Sequence, residues 1–131
     1  MFLDASAITA ILTDEDDARH LFARMATYPR RITSPLAVWE ATLAVARRLR
    51  LDLDDSETAV EAFLKAFGVE VLAVPAEVRH GALAAHARYG KGRHPAALNF
   101  GDCFAYACAR QANAPMLYKD DDFTRTDIEP A

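Results

Sequence analysis

The sequence predicts an α/β fold, a sandwich built on a mostly parallel sheet. Three observations predict it. Short apolar or β-branched segments alternate with longer stretches of helical spacing. Neither internal repeat nor linker nor composition break divides residues 1–131, so one domain is expected. The short segments are too continuously apolar to have a solvated face, the mark of parallel strands covered on both sides. In such sheets ligands bind at the carboxyl ends of the strands.

The elements follow in order. Phe2-Leu3 is a short strand ended by Asp4, and residues 5–12 (ASAITAIL) have helical spacing. Thr13 with the acids at 14–16 predicts a helix start, running to about Ala26 before Tyr28-Pro29. Arg31-Ile32-Thr33 reads as a strand. Ser34-Pro35 then opens a helix with a capping hydroxyl and proline at its first position. Its apolar stripe is Leu36, Trp39, Leu43 and Ala46, which places Trp39 in the core. Asp54 or Asp55 starts a helix through Phe67, and Gly68 ends it. Residues 69–74 read as a strand, and Pro75 begins a helix reaching Tyr89-Gly90. Residues 91–100 form a basic loop, 101–113 a helix with Tyr106 in the core, 115–118 a buried strand, and 127–129 a last short strand.

Composition excludes several classes. With 131 residues, 52% apolar and 26% charged, the chain has a core of its own and is not disordered. Cys103 and Cys108 lack a second pair for a zinc site and do not make a disulfide framework, so a reducing cytoplasm is expected. Apolar runs fall far short of a membrane span, and Met-Phe-Leu-Asp does not begin a signal peptide. The net charge of −4 argues against gripping nucleic acid by bulk charge, but not against an enzyme whose metals supply positive charge locally.

The informative residues are acids in apolar surroundings. Asp4 follows the first strand, Glu40 follows Trp39 on a helix otherwise Leu, Val and Ala, and Asp102 opens an apolar helix. The acids at 120–122 follow the strand at 115–118. Each taken alone has a structural explanation: Asp4 and Asp102 can cap helices, and the 120–122 run can be a solvated turn. Together they gather at one sheet edge. Burying them uncompensated costs on the order of several kcal/mol each. Hard divalent cations such as Mg²⁺ or Mn²⁺ prefer oxygen ligands and relieve that cost. Metal-bound water then becomes a nucleophile, and a transferring phosphate is charge-stabilised. Asp4 and Asp102 are the expected core ligands; Glu40 and either Asp121 or Asp122 complete the pocket. Ser6 stands two residues from Asp4. Arg88, Lys91, Arg93 and His94 are candidate phosphate contacts.

The sequence resembles the PIN-domain ribonucleases, specifically the VapC toxins of bacterial toxin–antitoxin pairs. The resemblance spans the chain: Phe2 to Ser6, Glu40 after Ser34-Pro35, Tyr89 to His94, Leu98 to Tyr106, and Lys119 to Ile128. It implies a three-layer α/β/α sandwich, Mg²⁺ or Mn²⁺ held by acids, and RNA as substrate, with Ser6, Lys91 and Arg93 as its expected contacts. It also implies a cognate antitoxin as partner and a homodimer, with no membrane association. Asp4, Glu40 and Asp102 match three family acids; the fourth is Asp121 or Asp122. Asp120 stands where the family pattern has glycine, which alters the turn. A haloacid-dehalogenase-like phosphatase needs a second Asp at position 6, where this chain has Ser6, and a receiver domain needs an acidic pair that is missing. The alternative reading is a catalytically weak PIN-like module that binds RNA or serves as a scaffold.

Overall fold

The computed structural model describes residues 1–119 and 121–131; the Asp120 expectation lies outside the described residues. Four short strands, β1 (Phe2–Leu3), β2 (Arg31–Thr33), β3 (Val69–Val71) and β4 (Met116–Leu117), pair in parallel in the order β3-β2-β1-β4. The first two crossovers step the chain from β1 outward to β3, and the third returns it to the far side of β1. The order therefore reverses between β1 and β4. A crevice opens at that switch point beyond the carboxyl ends of the two strands.

Helices cover both faces, giving the three layers expected. On one face pack α1 (Ala5–Leu12), α2 (Ala18–Ala26), α3 (Pro35–Leu49) and α4 (Leu53–Ala66); on the other, α5 (Val78–Tyr89) and α6 (Phe100–Gln111). Alternation along the strands feeds both cores. Leu3 and Leu117 join Ile8, Val45 and Val60 on the first side, whereas Phe2, Ile32 and Met116 join Leu98 and Ala109 on the second.

Several boundaries differ from expectation. The helix expected from Thr13 begins at Ala18, because Thr13 terminates α1 and Asp14 takes a left-handed φ of 51°. Glu15 of that acidic turn is drawn instead to Arg48 and Lys119. Asp52, not Asp54 or Asp55, caps α4, its carboxylate accepting from the Asp55 N–H at 2.8 Å. The strand expected through Val74 stops at Val71, and Pro75 lies in a turn before α5 begins at Val78. The last strand reduces to one bridge between Met116 and Pro130.

The largest correction concerns α3. Its buried face is Ala37, Ala41 and Val45, a row of small residues that lets α3 approach α1 and α4 closely. The bulkier stripe with Trp39 is left facing outward, and Trp39 is 66% exposed. Tyr106 is buried as expected, its hydroxyl donating to Asp127 at 2.6 Å.

Candidate active site

Asp4 sits where β1 hands over to α1. Its N–H bonds the Leu117 carbonyl of β4 at 3.0 Å, which locks the residue against the neighbouring strand. Its side chain caps α1, accepting from the Ser6 N–H at 2.9 Å and the Ser6 hydroxyl at 2.6 Å. The same hydroxyl accepts from the Lys119 N–H at 3.1 Å, tying the turn after β4 to the start of α1. The capping role considered from sequence is therefore real. It also holds a carboxylate only 5% exposed at the mouth of the switch point.

Asp102 is the third residue of α6 rather than its cap. The cap is Asn99, whose side chain accepts from the Asp102 N–H at 3.0 Å while the Asp102 carboxylate accepts from the Asn99 N–H at 2.8 Å. This reciprocal box fixes the Asp102 side chain at the helix start. Glu40 reaches the same place from the middle of α3. Gly101 makes room for it: a side chain at position 101 would collide with the Glu40 carboxylate.

These residues line one polar cavity of about 220 Å³: Asp4, Ser6, Glu40, Asp102 and Asp122, with Asn99 beside them. Asp122, not Asp121, lines it; Asp121 is exposed, and its carbonyl accepts from the Thr124 N–H at 3.1 Å. Electrostatics links the same four acids. Burial pushes Asp102 up to about 7, against the pull of the Asn99 N–H, and the Asp4, Asp122 and Glu40 carboxylates push the same way. Glu40 is also raised, by burial and then by Asp4, with Arg47 opposing.

A feature not foreseen from sequence forms the opposite wall. Glu15 lines the cavity and bridges Arg48, at 2.7 Å, and Lys119. Burial disfavours its charge, yet these cations and Thr13 outweigh that and hold it below the ordinary glutamate range. The sequence signal, an acid three residues beyond α1, reads equally well as a helix start.

Other candidates lie elsewhere. Lys91 and Arg93 are exposed on the loop that follows α5, and Lys91 lines a separate cavity with Phe100 and Phe104. Arg88 pairs with Asp127 at 3.0 Å and lies over the Tyr89 ring, so it braces the second core.

Residues 1–129 match the family model for the PIN domain. The chain belongs to the PIN-domain family. Its relatives place it among the VapC PIN domains. It is 38% identical over 128 residues to a ribonuclease VapC of Mycolicibacterium smegmatis, covering 98% of this chain and 97% of the relative. It is 37% identical to ribonuclease VapC30 of Mycobacterium tuberculosis, covering 98% and 95%. A VapC ribonuclease of Rhizobium meliloti is likewise 37% identical, covering 97% and 98%. Among solved structures, Mycobacterium tuberculosis VapC20, a toxin that cleaves the sarcin–ricin loop, superposes with a TM-score of 0.77 at 21% identity, covering 99% of this PIN domain and 97% of the other chain. That likeness shows the fold.

The donor set of this PIN domain fits a hard divalent cation. All four acids offer oxygen, one is 5% exposed, and burial together with the neighbouring carboxylates raises Asp102 and Glu40. Among the described residues no three His, Cys, Asp or Glu side chains form a ready-made cage. Mg²⁺ needs none, since it keeps several waters and binds through one or two carboxylates.

Proposed function

We propose that this VapC-family chain is a divalent-metal-dependent endoribonuclease, the toxin of a toxin–antitoxin pair, acting on single-stranded or loop RNA. One observation carries the reading: Asp4, Glu40, Asp102 and Asp122, far apart in sequence, line one cavity at the switch point of the sheet. Asp4 and Asp102 would hold Mg²⁺ or Mn²⁺, with Glu40 and Asp122 completing the pocket. The bound metal supplies a water of lowered pKa and neutralises charge on the scissile phosphate. Glu40, raised by burial, is the side chain suited to take a proton from the attacking water. Arg47 and Arg48 line the same cavity and bring positive charge to the phosphate. Ser6 holds Asp4 in place, and the Asn99 box holds Asp102. His94 is engaged in its own loop, its Nδ1 accepting from the Ala96 N–H at 3.1 Å, which disfavours a metal-free route through a histidine pair.

Hydrolysis of this kind leaves a 5′-phosphate and a 3′-hydroxyl. End-group analysis tests it: a 2′,3′-cyclic phosphate, or cleavage that persists in excess EDTA, refutes the mechanism. Asp4→Asn removes a charge at nearly constant volume, so the fold persists while cleavage falls by orders of magnitude. Equal Mn²⁺ binding by the variant in calorimetry removes Asp4 from the ligand set. The acidic cavity also suits an Arg guanidinium from a cognate antitoxin, whose planar fork matches carboxylates. A homodimer and a cytoplasmic location complete the proposal.

A further inference from the structure

Beside the catalytic cavity, between α3 and the start of α6, runs a groove of about 760 Å³. Its walls are apolar and carry two aromatic side chains that the core does not use. Trp39 is 66% exposed and Phe100 is 70% exposed. Glu40, Arg47 and Asn99 line both the groove and the acidic cavity, so the two are continuous. The groove's size lies within the range of about 300–1,000 Å³ common to small-molecule sites.

We propose that this groove is a nucleobase-binding subsite in which Trp39 and Phe100 stack an unpaired base of the RNA next to the scissile phosphate. The inference rests on the ribonuclease reading above and adds to it the part of the substrate that is recognised. Three features favour this occupant. The groove opens into the catalytic cavity, so whatever fills it lies within reach of the acids. Flat, exposed rings offer the π-face on which unpaired bases stack. Arg47 sits where groove and cavity join, placed for the phosphate between a bound base and the cleavage point. Phe100 also lines the cavity that contains Lys91, which extends the track to a further phosphate.

Trp39 is the single tryptophan of the chain, so its fluorescence reports the groove directly. In the Asp4→Asn variant, oligouridylate or oligoadenylate should quench Trp39, while an abasic ribose-phosphate chain of equal length should not. In the active enzyme Trp39→Ala should raise KM for unstructured RNA about 10-fold, the effect of losing one stacked base. The change should appear in KM more than in kcat, and Trp39→Phe, which keeps a flat ring, should restore much of it. Because Trp39 is exposed, both variants should melt with the wild type. Equal quenching by the abasic chain, or an unmoved KM in Trp39→Ala, overturns the subsite while leaving the ribonuclease reading intact. Trp39 emission that responds to protein concentration or to a co-expressed partner, but not to RNA, makes the groove a protein interface and also overturns it. Absence of any RNA cleavage by the wild type defeats the ribonuclease reading instead, and the quenching experiment still decides whether bases bind.

Discussion

Asp102 offers a direct measure of what burying a carboxylate among other acids costs the metal-free fold. Replacing it by Asn keeps the shape and retains an oxygen that can accept from the Asn99 N–H, so the helix start survives. What is lost is a carboxyl whose pKa rises from 3.8 to about 7 on folding, through burial and the Asp4, Asp122 and Glu40 charges. A carboxyl with a raised folded pKa binds its proton more tightly in the native state. Its ionisation therefore destabilises the fold progressively between about pH 4 and 7, and fully above pH 7. About three pKa units correspond to an unscreened limit of about 4 kcal/mol. Asp102 is partly open to solvent, so screening reduces this to about 1–2 kcal/mol. For a chain of this length that is a rise in Tm of about 4–7 °C. Urea and thermal unfolding of chelator-treated protein should show Asp102→Asn more stable than wild type at pH 8, with the margin shrinking toward pH 5. Added Mg²⁺ should stabilise the wild type more than the variant. A margin that does not change with pH, or a variant less stable at pH 8, refutes the argument that burial and the neighbouring acids together disfavour the Asp102 carboxylate here.

Gly101→Ala should displace the Glu40 carboxylate, the flexible end of its side chain, at a stability cost below about 1 kcal/mol. RNA cleavage should fall clearly, and wild-type turnover would show that Glu40 need not lie against α6. Tyr106→Phe deletes the bond to Asp127 and should cost about 0.5–1.5 kcal/mol in urea unfolding with cleavage intact. Co-expression with the proposed cognate antitoxin should yield a stable complex with suppressed ribonuclease activity. Free expression at high level without slowed growth would count against the toxin role.

Some of this protein was decided locally and therefore legible in its sequence. The Ser34-Pro35 start, the Gly68 stop and the strands β1, β2 and β4 depend on neighbours a few residues away, and they form where the sequence predicts them. The acids Asp4, Glu40 and Asp102 could be singled out because a charge amid apolar residues is anomalous at the level of sequence alone. Tertiary structure decided the rest, through contacts between distant segments. Whether Asp121 or Asp122 faces the cavity depends on the turn after β4, which is tied to α1 by the bond from the Lys119 N–H to Ser6. Glu15 leaves its expected helix because Arg48 and Lys119, from distant parts of the chain, attract it. Trp39 lies outside because α3 buries whichever face approaches its neighbours more closely, and Ala37, Ala41 and Val45 do so better than the larger stripe. Helical periodicity identifies faces, but the shape of the partner surface selects the one that is buried.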